Sequence, residues 1–219
     1  MPLINGVFGR YIMDPAETSF TLPAGTNAVP MLLFNQCFTL EEVILPEGVE
    51  SIAMHAFNEC SNLKRVKLPS TLRSIGQAAF YECTSLRDIC FPDGCSMICK
   101  HAFLECTALE EITIPPAMTS IEEGVFSYTG LRRVVLPSTL KIIGKNAFSG
   151  CASLREIRIP QGCREIRSGA FAFCTALEKV SIPPSVTSIG YDAFFKTPWL
   201  ESLCAQNDGK AIVNGMIIS

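Results

Sequence analysis

Histidine is nearly missing from the chain: His55 and His101 are the only two, and there is one tryptophan. The sequence also lacks G-x-S-x-G, H-E-x-x-H, a P-loop and a dinucleotide fingerprint, so it offers no nucleophile elbow, zinc protease helix or phosphate cradle. Charged residues make up only 18%, with both signs interspersed and a net charge of −3. That balance gives no case for nucleic acid or an anionic membrane surface as partner. No run of 18 apolar residues exists, so no membrane-inserting span is read. The first residues, MPLINGVFGRYIMDP, lack a basic start followed by a long apolar run, so no secretory leader is read either. This leaves the compartment open: cytoplasmic if the chain is complete as given, cell surface or secreted if a leader was removed. Disorder is excluded by the 48% apolar content, and 219 residues suffice for a sizeable core.

What the chain has instead is repetition. The phrase LPSTLRSIGQAAFYEC (68–83) returns in altered form eight times. With Leu68 as position 1, units start at Leu22, Leu45, Leu68, Phe91, Ile114, Leu136, Ile159 and Ile182, 23 residues apart except for one unit of 22. Position 2 is always Pro, position 13 always Phe (Phe34 to Phe194) and position 19 always Leu, while position 8 is Val or Ile and position 12 mostly Ala. The columns fit one coil of a solenoid. L-x-x-V-x-L, as in Leu63, Val66 and Leu68, turns apolar residues inward from a short strand. Pro ends that strand because it cannot donate to a ladder. Positions 5 and 8 form a second short segment on the opposite wall, and a tight turn or half-helix follows with Phe filling the core. No unit can bury these residues alone. Stacked at about 4.8 Å per coil, the units make a core roughly 40 Å long.

Residues 68–89, LPSTLRSIGQAAFYECTSLRDI, resemble the BspA-like (Treponema-type) leucine-rich repeat nearly position by position. The resemblance runs over 22–204 and implies a right-handed α/β repeat solenoid, its short parallel strands lining a concave face. It implies a non-catalytic protein-interaction module, often on bacterial cell surfaces in adhesion or host-matrix binding. It implies no cofactor. The alternative is a structural spacer within a larger surface protein. A monomer binding a protein partner is expected. Departures are the first unit (LPAGTNAVPMLLF) and the shortened fifth (FSYTGL).

Open solenoids need caps. Residues 1–21 are expected to cap the first coil, with strand-like VFGRYIM, and Phe195 and Trp199 to cover the last. KAIVNGMIIS reads as a hairpin about an Asn-Gly turn, giving a cap at 205–219. In relatives such a segment commonly runs on into further repeats, so the chain is expected to be a piece of a longer protein or a short family member.

Eleven cysteines are present, an odd number. Cys37, Cys60, Cys83, Cys106, Cys151 and Cys174 share position 16 and are expected to stack as buried free thiols, and the odd total favours a reducing compartment or an anaerobic source over an oxidising one. Cys90, Cys95, Cys99 and His101 form C-x4-C-x3-C-x-H, not a usual zinc spacing. Positions 23 and 5 face opposite ways, so convergence on a metal is not expected. The two histidines both fall at position 11, two coils apart, without a fixed partner.

Binding is expected on the concave strands, where positions 20, 21 and 23 project. Their charges mostly alternate down the stack and read as mutual pairing. Two basic islands stand out: Arg132, Arg133, Arg155 and Arg158 around Val135, and Lys64, Arg65, Lys67 and Arg87, with Glu111 between. Arginine forks suit an acidic or sulfated partner segment. The missing residue of the fifth unit is expected to kink the edge beside the first island, placing Tyr128 there as an anchor. Tyr81, with Leu104, marks a second candidate on the flank at position 14.

Overall fold

The computed structural model describes residues 17–206 and 210–218. The strand expected in VFGRYIM lies outside the described residues. The first seven repeats each contribute two short strands, one to each of two rows, and the eighth contributes a strand to the second row alone. In the first row are Ser19–Thr21, Glu42–Ile44, Arg65–Lys67, Asp88–Ile89, Glu111–Thr113, Arg133–Val135, Glu156–Arg158 and Lys179–Ser181; in the second are Ala28–Val29, Ser51–Ile52, Ser74–Ile75, Met97–Ile98, Ser120–Ile121, Ile142–Ile143, Glu165–Ile166 and Ser188–Ile189. Paired neighbours within each row are parallel and in register by one repeat, as in Arg65↔Asp88 and Ile52↔Ile75. In Arg65–Lys67, Glu111–Thr113 and Glu156–Arg158 position 22 is buried and positions 21 and 23 are exposed, the alternation read from the sequence. The first row begins one rung early: Ser19–Thr21 pairs with Glu42–Ile44.

Neither row is hydrogen-bonded throughout. The first falls into groups of four, two and two strands, the second into four and four. Continuity comes from the third side of the coil, the turn wall at positions 10–15. There the N–H groups of positions 11, 13 and 15 donate to carbonyls of positions 10, 12 and 14 in the next coil. His55→Gln77, Phe57→Ala79 and Glu59→Tyr81 are one such set, and three bonds of 2.7–3.4 Å join every consecutive pair from the first coil to the eighth. The device is the left-handed backbone. Every residue at position 11 (φ 51–65°) and at position 15 (φ 54–72°) has positive φ. This alternation, not a half-helix, points successive N–H groups along the stack.

The core is a column of phenylalanines. Phe34, Phe57, Phe80, Phe103, Phe126, Phe148, Phe171 and Phe194 lie fully buried, with centroids 5.0–5.6 Å apart and planes within 3–13°. An edge-on aromatic closes each end: Phe20 on Phe34 at 63° and Trp199 on Phe194 at 61°. Beside the column run the position-16 cysteines. The thiols of Cys60, Cys83, Cys106, Cys151 and Cys174 each donate to the Phe carbonyl of the preceding coil at 2.9–3.2 Å. They fill a corner and also satisfy a buried acceptor.

The eighth unit departs from the frame. Its last third is not a strand but helix α1, Pro198–Gln206, so Ser202 and Cys204 leave the sheet. Thr197 caps α1: its Oγ1 accepts from Leu200 N–H at 3.2 Å and donates to the Phe194 carbonyl at 2.7 Å, and Pro198 suits the first helical position. A hairpin of Ala211–Val213 and Met216–Ile218 follows. Positive φ at Asn214 and Gly215 gives its two-residue turn the twist that antiparallel strands favour. The Asn214 amide donates to the carbonyls of Pro183 and Val186, pinning the turn to the last coil. Phe195, expected to cover that coil, lies on the flank instead, because position 14 follows the core-facing Phe194 and turns outward.

Candidate functional site on the turn wall

On the first row, half of the eight basic-island residues are neutralised by neighbours. Arg65 lies between Asp88 (3.1 Å) and Glu42 (3.8 Å), and Lys64 reaches Glu41 at 2.9 Å. Arg132 meets Glu110 at 3.6 Å, and Arg158 holds Glu156 on its own strand at 2.8 Å. That pairing keeps the Glu156 carboxyl below its usual range. Among the described residues Lys67, Arg87, Arg133 and Arg155 have no carboxylate within 4.0 Å, and Glu111 no cation. Val135 is exposed beside them. The expected four-arginine island therefore reduces to Arg133 and Arg155, on a row whose charges largely satisfy each other.

The turn wall is different. Positive φ throws the position-15 side chain outward on every coil. Read along the stack this column is Gln36, Glu59, Glu82, Glu105, Tyr128, Gly150, Phe173, Lys196: acidic in the early coils, aromatic in the later ones. Among the described residues none of the three glutamates has a cation within 4.0 Å. Neutral donors hold Glu59, from Gln36 at 3.1 Å and Asn58 at 3.0 Å. Tyr81 sits half-buried in this row, as does Leu104. A hydrogen bond to Glu82, partial burial, and the charges of Glu82, Glu105 and Glu59 push the Tyr81 hydroxyl up to about 12. Tyr81 therefore belongs to the acidic wall and is not a free anchor.

Past Glu105 the surface opens into two hollows that share Tyr128. The first is lined by Glu105, Thr107, Tyr128, Gly130 and Ser153, among others. Asn146, Ser168, Phe173, Tyr191, Asp192 and Phe195 line the second. Tyr128 is 53% exposed, Phe173 47%, Tyr191 72% and Phe195 37%; Phe173 and Phe195 pack edge to face at 5.5 Å. The floor is small by necessity. A Cβ on Gly150 would strike the Tyr128 ring at 2.5 Å, and one on Gly130 the Thr107 carbonyl oxygen at 2.2 Å. Gly130 is where the fifth unit lost its residue: the shortened corner draws the chain against the preceding coil, and only glycine fits. Tyr128 stands at the mouth of a hollow beside the deletion, and the turn-wall ladder runs intact across it.

Tyr128 and Phe173 hold bulky rings in a backbone region that costs about 1–2 kcal/mol for a side chain with a Cβ, while Gly150 between them shows that glycine serves the fold there. Strain retained where the fold does not ask for it directs attention to function. The sequence carries this signal in the acidic-to-aromatic switch of column 15, but a reading centred on the strands passes over Phe173 and Tyr191 and gives Phe195 to the end cap.

No cluster of three His, Cys, Asp or Glu able to hold a metal occurs among the described residues. Cys90 is exposed and Cys95 buried, and no disulfide joins the described cysteines. Burial holds the Cys83 and Cys106 thiols well above their usual range and pushes Cys95 up to about 11; such thiols stay protonated and unreactive. No helix of the described residues is long and apolar enough to cross a membrane.

A family model described as the BspA type leucine rich repeat region matches six copies over residues 27–155 and 99–216. The chain belongs to the BspA-type leucine-rich repeat family. Solved leucine-rich repeat proteins share the fold. A leucine-rich repeat protein from Bacteroides ovatus is 27% identical with a TM-score of 0.75, covering 86% of this chain and 51% of its own. The T. pallidum leucine rich repeat protein is 29% identical, TM-score 0.62, covering 87% of this chain and 81% of its own. A leucine rich cell surface protein from Faecalibacterium prausnitzii is 29% identical, TM-score 0.61, covering 84% and 68%. This BspA-type chain thus spans about half the length of the Bacteroides ovatus relative. No curated protein sequence matches it. Membership supports a repeat protein-interaction module.

Proposed function

We propose that the chain is the non-catalytic interaction module of a bacterial surface-type leucine-rich repeat protein, a monomer that binds a protein partner in adhesion or matrix attachment and requires no cofactor. The observation that carries this reading is the group of exposed aromatics, Tyr128, Phe173, Tyr191 and Phe195, on a rigid wall. Tyrosine and phenylalanine with few rotors make strong contact anchors, and a preformed surface binds without an ordering cost. The Faecalibacterium prausnitzii relative's description as a cell surface protein supports the location. A second reading keeps the first strand row as the binding face, through Arg133, Val135 and Arg155, for an acidic partner.

Affinity capture from extracts of the source cell and from extracellular matrix tests both. The unmodified chain is compared with Tyr128→Gly/Phe173→Gly and with Arg133→Glu/Arg155→Glu. A partner lost by the glycine pair alone supports the turn wall. Loss with the glutamate pair alone moves the site to the strand row. A chain that retains nothing, or variants that retain everything, makes the spacer the better description.

A further inference from the structure

The two halves of the turn wall form one track. Glu105 and Tyr128 line the same hollow, and Tyr128 also lines the next with Phe173 and Phe195. Coil spacing along the phenylalanine column puts Glu59 and Phe195 about 32 Å apart down the stack. About ten residues of extended chain span that distance.

We propose that this track takes an extended, basic segment of a partner protein, with two or three Lys or Arg over Glu59, Glu82 and Glu105 and a large apolar residue in the hollow of Tyr128, Phe173 and Phe195. The assignment rests on the interaction-module reading and deepens it. Charge complementarity selects the occupant. On the strand row, Glu41, Glu42, Asp88, Glu110 and Glu156 each have a cation within 4.0 Å; the three wall glutamates have none among the described residues. Three like charges on successive rungs repel one another, by about 1 kcal/mol per neighbouring pair even in water. Cations placed between them relieve that repulsion and gain attraction. The order matters: the acids end where the rings begin, so one strand-like segment meets both in sequence. A neutral sugar would use the rings and leave the acidic row without a part, and an anionic one would be repelled by it.

The test is selection of a phage-displayed random twelve-residue peptide library on the intact chain. The selected peptide is then measured by fluorescence anisotropy against the chain and three variants. Glu82→Gln/Glu105→Gln is conservative, and Tyr128→Gly/Phe173→Gly relieves backbone strain, so both are expected to fold; matching circular dichroism and melting temperature confirm it. The third variant is Arg133→Glu/Arg155→Glu. Selected peptides are expected to carry Lys or Arg at one end and a large apolar residue toward the other. Each flank variant is expected to weaken binding about tenfold or more, the glutamine pair also flattening the salt dependence. The strand-row variant is expected to bind unchanged. Peptides without basic residues, or indifferent to the flank variants, overturn the proposal. Peptides lost only with Arg133→Glu/Arg155→Glu overturn it while leaving an interaction module. Glycan-array binding that depends on Tyr128 and Phe173, with no peptide selected, overturns it in favour of carbohydrate. Selection of nothing at any face overturns both this and the reading beneath it.

Discussion

At the scale of the residue, the turn wall rests on backbone that most side chains avoid. Position 15 holds Lys196 at φ 60° with its side chain exposed. Lys196→Gly removes the strain and only one weak contact, the ammonium 5.5 Å from the Phe195 ring, so it is expected to stabilise the chain by up to about 1 kcal/mol in urea unfolding. Tyr128→Gly follows the same logic. A ring kept for packing would lower the melting temperature when removed, whereas one kept for contact leaves it unchanged or higher. Gly130 is the opposite case. Gly130→Ala drives a methyl into the fixed carbonyl oxygen of Thr107 and is expected to cost about 2–4 kcal/mol, read as a lower urea midpoint with unchanged slope.

At the scale of the element, the coil and the end cap answer to different forces. The phenylalanine column has a stacked ring on either side at each interior coil, so Phe103→Ala, next to the longest spacing of 5.6 Å, is expected to cost about 3–5 kcal/mol. Trp199→Ala is expected to act locally. In a stack where each coil touches only its neighbours, amide exchange should rise in the last two coils and helix α1 and stay unchanged near Phe57. The same contrast explains what could be read from sequence. Columns that face the core carry one residue type, so Pro23 to Pro183, Phe34 to Phe194 and the alternation Arg65–Val66–Lys67 declared the strands, the column and the exposed face. Column 15 is fixed by φ and not by chemistry, so Gln36, Tyr128 and Lys196 share a conformation that no common residue type announces. Helix α1 was hidden for a different reason. Unit eight keeps the repeat frame through Phe194, and Leu200 is the position-19 leucine just ahead of where a strand is due, yet the local signal of Thr197 followed by Pro198 outweighs the frame.

At the scale of the whole molecule, buried thiols make stability depend on alkaline pH. Burial raises Cys83 and Cys106, a hydrogen bond with Cys151 together with burial raises Cys174, and Cys95 lies at about 11. The folded chain holds protons that the unfolded chain releases. Their contribution is therefore whole below about pH 8.5, the unfolded thiol value, and is lost as pH rises, at about 1.4 kcal/mol per pH unit per thiol. Melting under reductant is expected to be flat from pH 6 to 8 and to fall steeply above pH 9. The turn-wall ladder has a consequence of another kind. All of its N–H groups point toward later coils and all of its carbonyls toward earlier ones. The second strand row runs the other way, Gly76 N–H donating to the Ile52 carbonyl of the coil before, so across the solenoid the peptide dipoles of the two walls oppose one another instead of adding as they do in a helix. The two ends of the turn wall are chemically unlike, and a coil can be added to either end in one orientation only.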